Sequence, residues 1–160
     1  MSMSKLSAAL LLALLAAAAM PVALADGGCG RKVTIQNLSG RDLLLHLESL
    51  ANSPLFFPAS GYLLRHGTHA EFPVCIWTGR LHAPDAPTAE FHVGPDGGAW
   101  YMAPVNQATP VRVSVTPHGH LSGHCPAVGC RNAGVCFKDQ VPGGNCHHVD
   151  ELKFIYYNPQ

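Results

Sequence analysis

The sequence predicts an all-β domain, a β-sandwich or barrel of antiparallel strands with a disulfide-stapled loop region. Three observations lead to this fold class. Short segments alternate apolar or β-branched residues with polar ones, and Gly, Pro, Asn and Asp clusters separate them closely. No stretch after residue 25 keeps a helical apolar period over three turns. Six cysteines, an even number, can all pair as disulfides.

The first 25 residues have the pattern of a signal peptide. Lys5 supplies positive charge, residues 6–20 carry none, and Ala23-Leu24-Ala25 is a small-x-small cleavage pattern. The apolar run is shorter than the about 20 residues that span a bilayer. We therefore expect a secreted, extracellular protein, with a mature domain over residues 26–160. Cysteines in such a compartment form disulfides rather than metal sites.

Size and charge limit the possible partners. Of 160 residues, removal of 25 leaves 135, the size of one domain. Removal of Lys5 leaves nine Lys and Arg (10 − 1) against ten Asp and Glu, a net charge of −1. The cations are scattered, so neither nucleic acid nor an anionic membrane is expected as a partner. We expect a monomer.

The strands are predicted in chain order from alternation and from the turns between them. Residues 32–37 place β-branched side chains at alternate positions, and Ser39-Gly40 ends the segment. Leu43, Leu45 and Leu47 then alternate with residues of a less buried face. Apolar segments bounded by turn clusters, such as Pro95-Asp96-Gly97-Gly98, give six further strands: 62–64, 70–80, 88–93, 100–102, 111–115 and 152–157.

Residues 117–148 differ in composition from the predicted strands. They are rich in Gly, Pro, Cys and His, poor in large apolar residues, and contain four of the six cysteines. A segment that cannot bury an apolar face is held by crosslinks, so we expect a disulfide-stapled loop. Asn37-Leu38-Ser39 is a sequon, so Asn37 is a candidate for N-glycosylation.

Several short motifs occur in the order found in thaumatin-like (pathogenesis-related) proteins, and the chain resembles a small, divergent member of that family. The motifs are Ile76-Trp77-Thr78-Gly79-Arg80, Pro87-Thr88-Ala89-Glu90-Phe91, Trp100-Tyr101, the segment 111–117, the segment 125–136 and the segment 153–159. The resemblance implies a β-sandwich with a disulfide-rich excursion. It also implies a defence role through binding of β-1,3-glucan in an acidic cleft.

The resemblance implies particular site residues and disulfides. Glu90 matches an acidic residue of the cleft, whereas Ala99 and Met102 stand where the family has aspartates. Independently of the resemblance, Trp100 and Tyr101 are candidates for stacking on a sugar because aromatic rings pack against the apolar faces of sugars, and Trp77 is expected in the core. The implied disulfide is Cys125–Cys146, and the set adopted with it is Cys29–Cys75 and Cys130–Cys136.

Histidines suggest a possible metal site. A Cys125–Cys146 bond would bring His124 and His147 together, with His120 and His148 able to join them. Such a set could bind zinc or copper(II). The alternative is that these are solvent-exposed histidines of a loop and that the protein has no cofactor.

The sequence has no Gly-x-Ser-x-Gly motif, no His-Glu-x-x-His motif and no glycine loop of the phosphate-binding type. We expect a non-catalytic defence or stress protein that binds cell-wall polysaccharide such as β-1,3-glucan. One alternative is a module that binds or inhibits an extracellular protein through residues 117–148. The second alternative is a weak glycoside hydrolase, which would need a second carboxylate facing Glu90.

Overall fold

A computed structural model describes residues 28–132 and 134–160, and these residues form an all-β fold. The predicted signal peptide lies outside the described residues. No helix occurs within the described ranges, which confirms the predicted fold class. The ten strands are β1 (Lys32–Leu38), β2 (Leu43–Ser49), β3 (Tyr62–Leu64), β4 (His69–Pro73), β5 (Trp77–His82), β6 (Ala89–Val93), β7 (Ala99–Met102), β8 (Arg112–Gly123), β9 (Val128–Gly129) and β10 (Val141–Tyr157).

The strands form one sheet that folds over on itself. Its order is β3-β2-β5-β6-β7-β10-β1-β4, and β8 pairs with β10 and with β9. Strand β10 joins the two halves because it pairs with β7 near its start and with β1 over residues 151–157. The β1–β10 pair is parallel, whereas the other described pairs are antiparallel. The outermost strands β3 and β4 meet through the rings of Tyr62 and Phe72, 5.2 Å apart, so the sheet nearly closes.

Aromatic side chains fill the space between the two halves of the sheet. The ring of Phe91 on β6 lies 4.7 Å from that of Phe154 on β10 and 4.5 Å from that of Trp77 on β5. All three side chains are buried, so the prediction of Trp77 as a core residue is confirmed. Strands β5, β6 and β7 alternate strictly between buried and partly exposed residues. Every second residue on these strands therefore faces outward.

Two predicted strand boundaries are wrong. Residues 70–80 form two strands, β4 and β5, because the chain leaves the sheet at Val74, Cys75 and Ile76. The strand predicted over residues 111–115 continues as β8 to Gly123, into the predicted loop region. Gly119 has a φ of 139°, and a Cβ there would lie 2.5 Å from the carbonyl oxygen of His148. The glycine thus permits a close approach of β8 to β10 at a register shift.

The predicted loop region contains strands at both ends. Residues 117–123 belong to β8 and residues 141–148 to β10. Residues 117–123 pair with residues 146–152 of β10, while Val141 and Cys146 of β10 pair with β7. We call residues 117–123 with 146–152 the ribbon. The backbone bonds of a strand pair do not require an apolar face, which explains how this polar composition still forms strands.

The three disulfides have the predicted pairing: Cys29–Cys75, Cys125–Cys146 and Cys130–Cys136. The first ties the segment before β1 to the connection between β4 and β5, and the second ties the ribbon to the segment that follows β8.

Candidate functional site

The outward-facing residues of β2, β5, β6 and β7 form aligned rows across the sheet. Arg80 lies opposite Glu48 on one side and Glu90 on the other, and Glu90 lies opposite Met102. The next row contains Thr78, His92 and Trp100. We call this surface the outer face, defined by these two rows: Glu48, Arg80, Glu90, Met102, Thr78, His92 and Trp100.

Arg80 bridges two carboxylates on the outer face. Its Nε donates to Glu90 Oε2 at 2.8 Å, and its Nη1 donates to Glu48 Oε1 at 3.1 Å. The other Glu48 oxygen lies 3.1 Å from His82 Nε2, and His82 Nδ1 lies 2.9 Å from Thr88 Oγ1. The network therefore holds the guanidinium in one orientation. Exposed ion pairs contribute only about 0–1 kcal/mol each to stability, so stability alone explains little of this arrangement.

The network favours the ionised forms of Glu48 and Arg80. The hydrogen bond from His82, followed by that from Arg80, lowers the pKa of Glu48 below its usual value. The hydrogen bonds to Glu90 and then Glu48 raise the pKa of Arg80. A glycosidase needs a carboxylic acid whose pKa is raised, so the environment of Glu48 is the reverse of that of a general acid.

Unused donors and acceptors remain beside the ion pairs. An arginine has five N–H donors, and the contacts to Glu48 and Glu90 use one on Nε and one on Nη1. Glu90 Oε1 has no partner among the described residues. A hydroxyl group both donates and accepts hydrogen bonds. The remaining N–H groups of Arg80 and the free oxygen of Glu90 can therefore bind one hydroxyl of a ligand, or two adjacent hydroxyls.

A cavity of about 500 Å³ lies at one end of the outer face, next to these free groups. Gln140 closes one side, because its amide exchanges hydrogen bonds with the backbone of Ala103 at 2.7 and 3.1 Å. The cavity is lined by Arg80, Thr88, Glu90, Met102, Ala103, Pro104, Val105 and Gln140. Its volume is within the range of ligand pockets, about 300–1,000 Å³.

At the other end of the outer face, Trp100 presents an aromatic ring. The Trp100 and His92 rings are stacked, with centroids 5.9 Å apart and an interplanar angle of 15°. Thr78 Oγ1 lies 2.7 Å from His92 Nδ1 and fixes the imidazole. Trp100 is partly exposed, so one side of a preorganised platform remains available to a ligand.

Tyr101 does not belong to this site, and its prediction as a ligand-binding residue is wrong. Alternation on β7 turns Tyr101 into the core, where it is fully buried, while Trp100 faces outward. Its hydroxyl donates to the carbonyl oxygen of Pro126 at 2.7 Å. Burial raises the pKa of the phenol far above its ordinary value.

The prediction of Asn37 as a glycosylation site is also wrong for the folded domain. The side chain is completely buried. Its Nδ2 donates to the carbonyl oxygens of Arg41 and Leu64 at 2.8 and 2.9 Å, and its Oδ1 accepts from Ser39. The nitrogen that a glycan would occupy is thus enclosed and hydrogen-bonded. The sequon is instead a side-chain-stabilised turn after β1.

The predicted metal ligands do not assemble into a site. Within residues 28–132 and 134–160, no three His, Cys, Asp or Glu side chains form a group that could hold a metal ion. Pairing of the ribbon spreads the histidines along two strands, and His148 Nδ1 lies 2.9 Å from Ser122 Oγ. The remaining candidates are exposed on the ribbon or directly after β8: His120, His124 and His147.

Sequence analysis identified Glu90 and Trp100 but missed Glu48, Arg80 and His82 as parts of the same surface. The signal was present, because Glu48, Arg80 and Glu90 all occupy outward positions of alternating segments. Their juxtaposition depends on the register between β2, β5 and β6, which the alternation of each segment does not specify.

Comparison of the chain with models of known protein families finds no match, and comparison with curated proteins finds none. In the part of the chain that the structure describes, no helix is long and apolar enough to cross a membrane.

Proposed function

We propose that this protein is a secreted, non-catalytic binding protein that recognises cell-wall polysaccharide such as β-1,3-glucan through its outer face. The observation that carries the proposal is the alignment of a stacked aromatic platform with a fixed Arg–Glu network on one surface. Aromatic rings supply apolar contact area, and the charged groups supply directional hydrogen bonds to hydroxyls. Both features are those that a sugar ring requires.

The dimensions of the outer face favour an elongated ligand. Thr88 lines the cavity, and His92, four residues further along β6, supports Trp100. Four residues of a strand span about 13 Å. A saccharide chain lying along β6 and β7 could therefore stack on Trp100, meet Arg80 and Glu90, and enter the cavity.

Three further considerations support non-catalytic binding, secretion and a defence role. The paired, ionised state of Glu48 supports binding without hydrolysis. The apolar leader and three disulfides support passage through an oxidising, secretory compartment. The defence or stress role follows from the resemblance to thaumatin-like proteins.

Co-sedimentation with insoluble polysaccharides tests the proposal. Purified protein is incubated with β-1,3-glucan, chitin and cellulose, and the bound fraction is measured over a range of protein concentrations. We expect saturable, selective binding to the glucan, weakened about fivefold or more by Glu90→Gln because one charged hydrogen-bond acceptor is lost. Glu71→Gln is the matched control, since Glu71 is also on a strand and pairs with Lys32 at 2.9 Å. Failure to bind all three polysaccharides would contradict the proposal.

A second candidate function is binding of an extracellular protein through the ribbon. It is favoured by the row of exposed imidazoles on and beside the ribbon: His118, His120, His124, His147 and His148. This alternative predicts that His147→Ala weakens capture of the partner, whereas Glu90→Gln leaves it unchanged.

A further inference from the structure

The cavity at the end of the outer face has a polar part and an apolar part. The polar part contains Arg80, Thr88 and Glu90, and the apolar part consists of Met102, Ala103, Pro104 and Val105. We call these four apolar residues the wall. None of them is aromatic, and Val105 is 47% exposed. The wall therefore presents apolar surface that an apolar group of a ligand could remove from water.

Two glutamine side chains hold the wall in place. Ala103 N donates to Gln140 Oε1 at 3.1 Å, and Gln140 Nε2 donates to the carbonyl oxygen of Ala103 at 2.7 Å. Pro104 has no N–H, and its carbonyl oxygen accepts from Gln107 Nε2 at 3.0 Å. Gln107 is buried and also bonds the backbone of Val113 at 2.7 and 2.9 Å. The backbone groups of Ala103 and Pro104 are therefore already hydrogen-bonded.

Such a wall does not suit the hydroxyl groups of an unmodified glucan. A hydroxyl that leaves water without gaining a hydrogen bond costs free energy, and the wall offers no free backbone donor at Ala103 or Pro104. The apolar faces of a sugar ring are matched by the indole of Trp100, at the other end of the outer face. An apolar substituent on the saccharide is the group that would gain from contact with the wall.

The polar groups beside the wall are accessible to a ligand. The side chain of Arg80 is 39% exposed and that of Glu90 is 28% exposed. Arg80 keeps N–H groups that bind neither carboxylate, and Glu90 Oε1 has no partner among the described residues. Glu90 also lies opposite Met102, so the free oxygen and the wall are neighbours. A substituent on the wall could therefore place an acceptor at Arg80.

We propose that this cavity binds an acetyl ester of the polysaccharide, so that the outer face prefers an O-acetylated glucan to the unmodified one. The methyl group packs on Val105 and Met102, and the ester carbonyl oxygen accepts from Arg80. A hydroxyl of the same sugar donates to Glu90 Oε1. A glucan carries only hydroxyl groups, so an acetyl group on it is an ester. The inference rests on the proposed function, because the main chain of the polysaccharide must lie on the outer face.

A soluble β-1,3-glucan oligosaccharide and the same oligosaccharide after partial O-acetylation test the proposal. Their affinities for the purified protein are measured by isothermal titration calorimetry, and nuclear Overhauser effects locate the acetyl methyl group. We expect the acetylated form to bind about fourfold more tightly, because one methyl group leaves water, and to show Overhauser effects to the methyl groups of Val105. Equal affinities would overturn this inference and leave polysaccharide binding intact. Binding of neither oligosaccharide would contradict the proposed function, and the inference with it.

Two valine variants locate the acetyl group. Val105→Ser should lower the ratio of the two affinities from about four to about one, because the wall loses apolar surface. Val135→Ser is the matched control, since Val135 is 54% exposed and does not line the cavity, and its ratio should stay at about four. Neither valine belongs to the buried core. A ratio that stays at about four in Val105→Ser would place the acetyl group elsewhere and overturn the proposal.

Discussion

The hydroxyl of Tyr156 gives a sharp test of the core, because its removal should stabilise the protein. Tyr156 lies on β10 and is fully buried, and its Oη has no hydrogen-bond partner among the described residues. An unsatisfied buried hydroxyl costs about 1–3 kcal/mol, and the small void left by the oxygen offsets part of the gain. We therefore expect Tyr156→Phe to raise the free energy of unfolding by about 1 kcal/mol.

Tyr101→Phe is the matched control, with the opposite expected sign. Tyr101 is equally buried, but its hydroxyl donates to Pro126 at 2.7 Å. Its removal loses the bond and leaves the carbonyl unsatisfied, so the free energy of unfolding should fall by about 1–2 kcal/mol.

Urea denaturation followed by circular dichroism, with the disulfides intact, measures both variants. Destabilisation of Tyr156→Phe by 1 kcal/mol or more, on the scale of a lost hydrogen bond, would refute the reasoning, because it would mean that the Tyr156 hydroxyl has a partner in the native state.

Three further predictions concern stability. Burial raises the pKa values of Tyr101 and Tyr156 above the ordinary 10.0, so folding favours their protonated forms. Their contribution to the free energy of unfolding is complete below pH 10 and is lost as the pH rises further. The midpoint of urea denaturation should therefore fall with increasing pH above 10, and a midpoint that does not change with pH would contradict this prediction. Replacement of Cys29 and Cys75 by serine opens a loop with a sequence separation of 46, which increases the conformational entropy of the unfolded chain. The free energy of unfolding, measured by urea denaturation, should therefore fall by about 4 kcal/mol. A decrease of less than about 1 kcal/mol would contradict this entropic explanation. Ala51, in the connection between β2 and β3, has a φ of 52°, a conformation that asparagine tolerates better than alanine. Ala51→Asn should therefore raise the free energy of unfolding by about 1 kcal/mol. A decrease in the same assay would show that the backbone at Ala51 is not strained.

Local patterns were sufficient to predict two of the strands that carry the outer face, β6 and β7, whereas β5 was merged with β4 in the predicted strand 70–80. Alternation and flanking turns predicted β3 with the observed bounds, and placed β6 and β7 within one residue of them. The same alternation could have separated Trp100 from Tyr101, because adjacent strand residues face opposite sides. The interpretation of both rings as a platform for stacking on a sugar instead assigned them to one ligand site, which proved wrong for Tyr101.

Features that depend on pairing between distant segments could not be predicted. The ribbon forms because β8 and β10 exchange backbone bonds, which a composition rich in glycine and histidine does not indicate. Asn37 has the sequence of a glycosylation site, but packing of the turn against residues 41 and 64 encloses its amide. The Glu48–Arg80–Glu90 network likewise depends on a register across three strands.

Chemical-shift mapping with a soluble β-1,3-glucan oligosaccharide tests most directly the claim that the outer face binds polysaccharide. Amide and indole N–H signals are followed during titration of the protein. We predict shifts concentrated on β5, β6 and β7, including Arg80, Glu90 and the indole of Trp100, with little change on the ribbon. Shifts confined to the ribbon, or none at saturating oligosaccharide, would contradict the account.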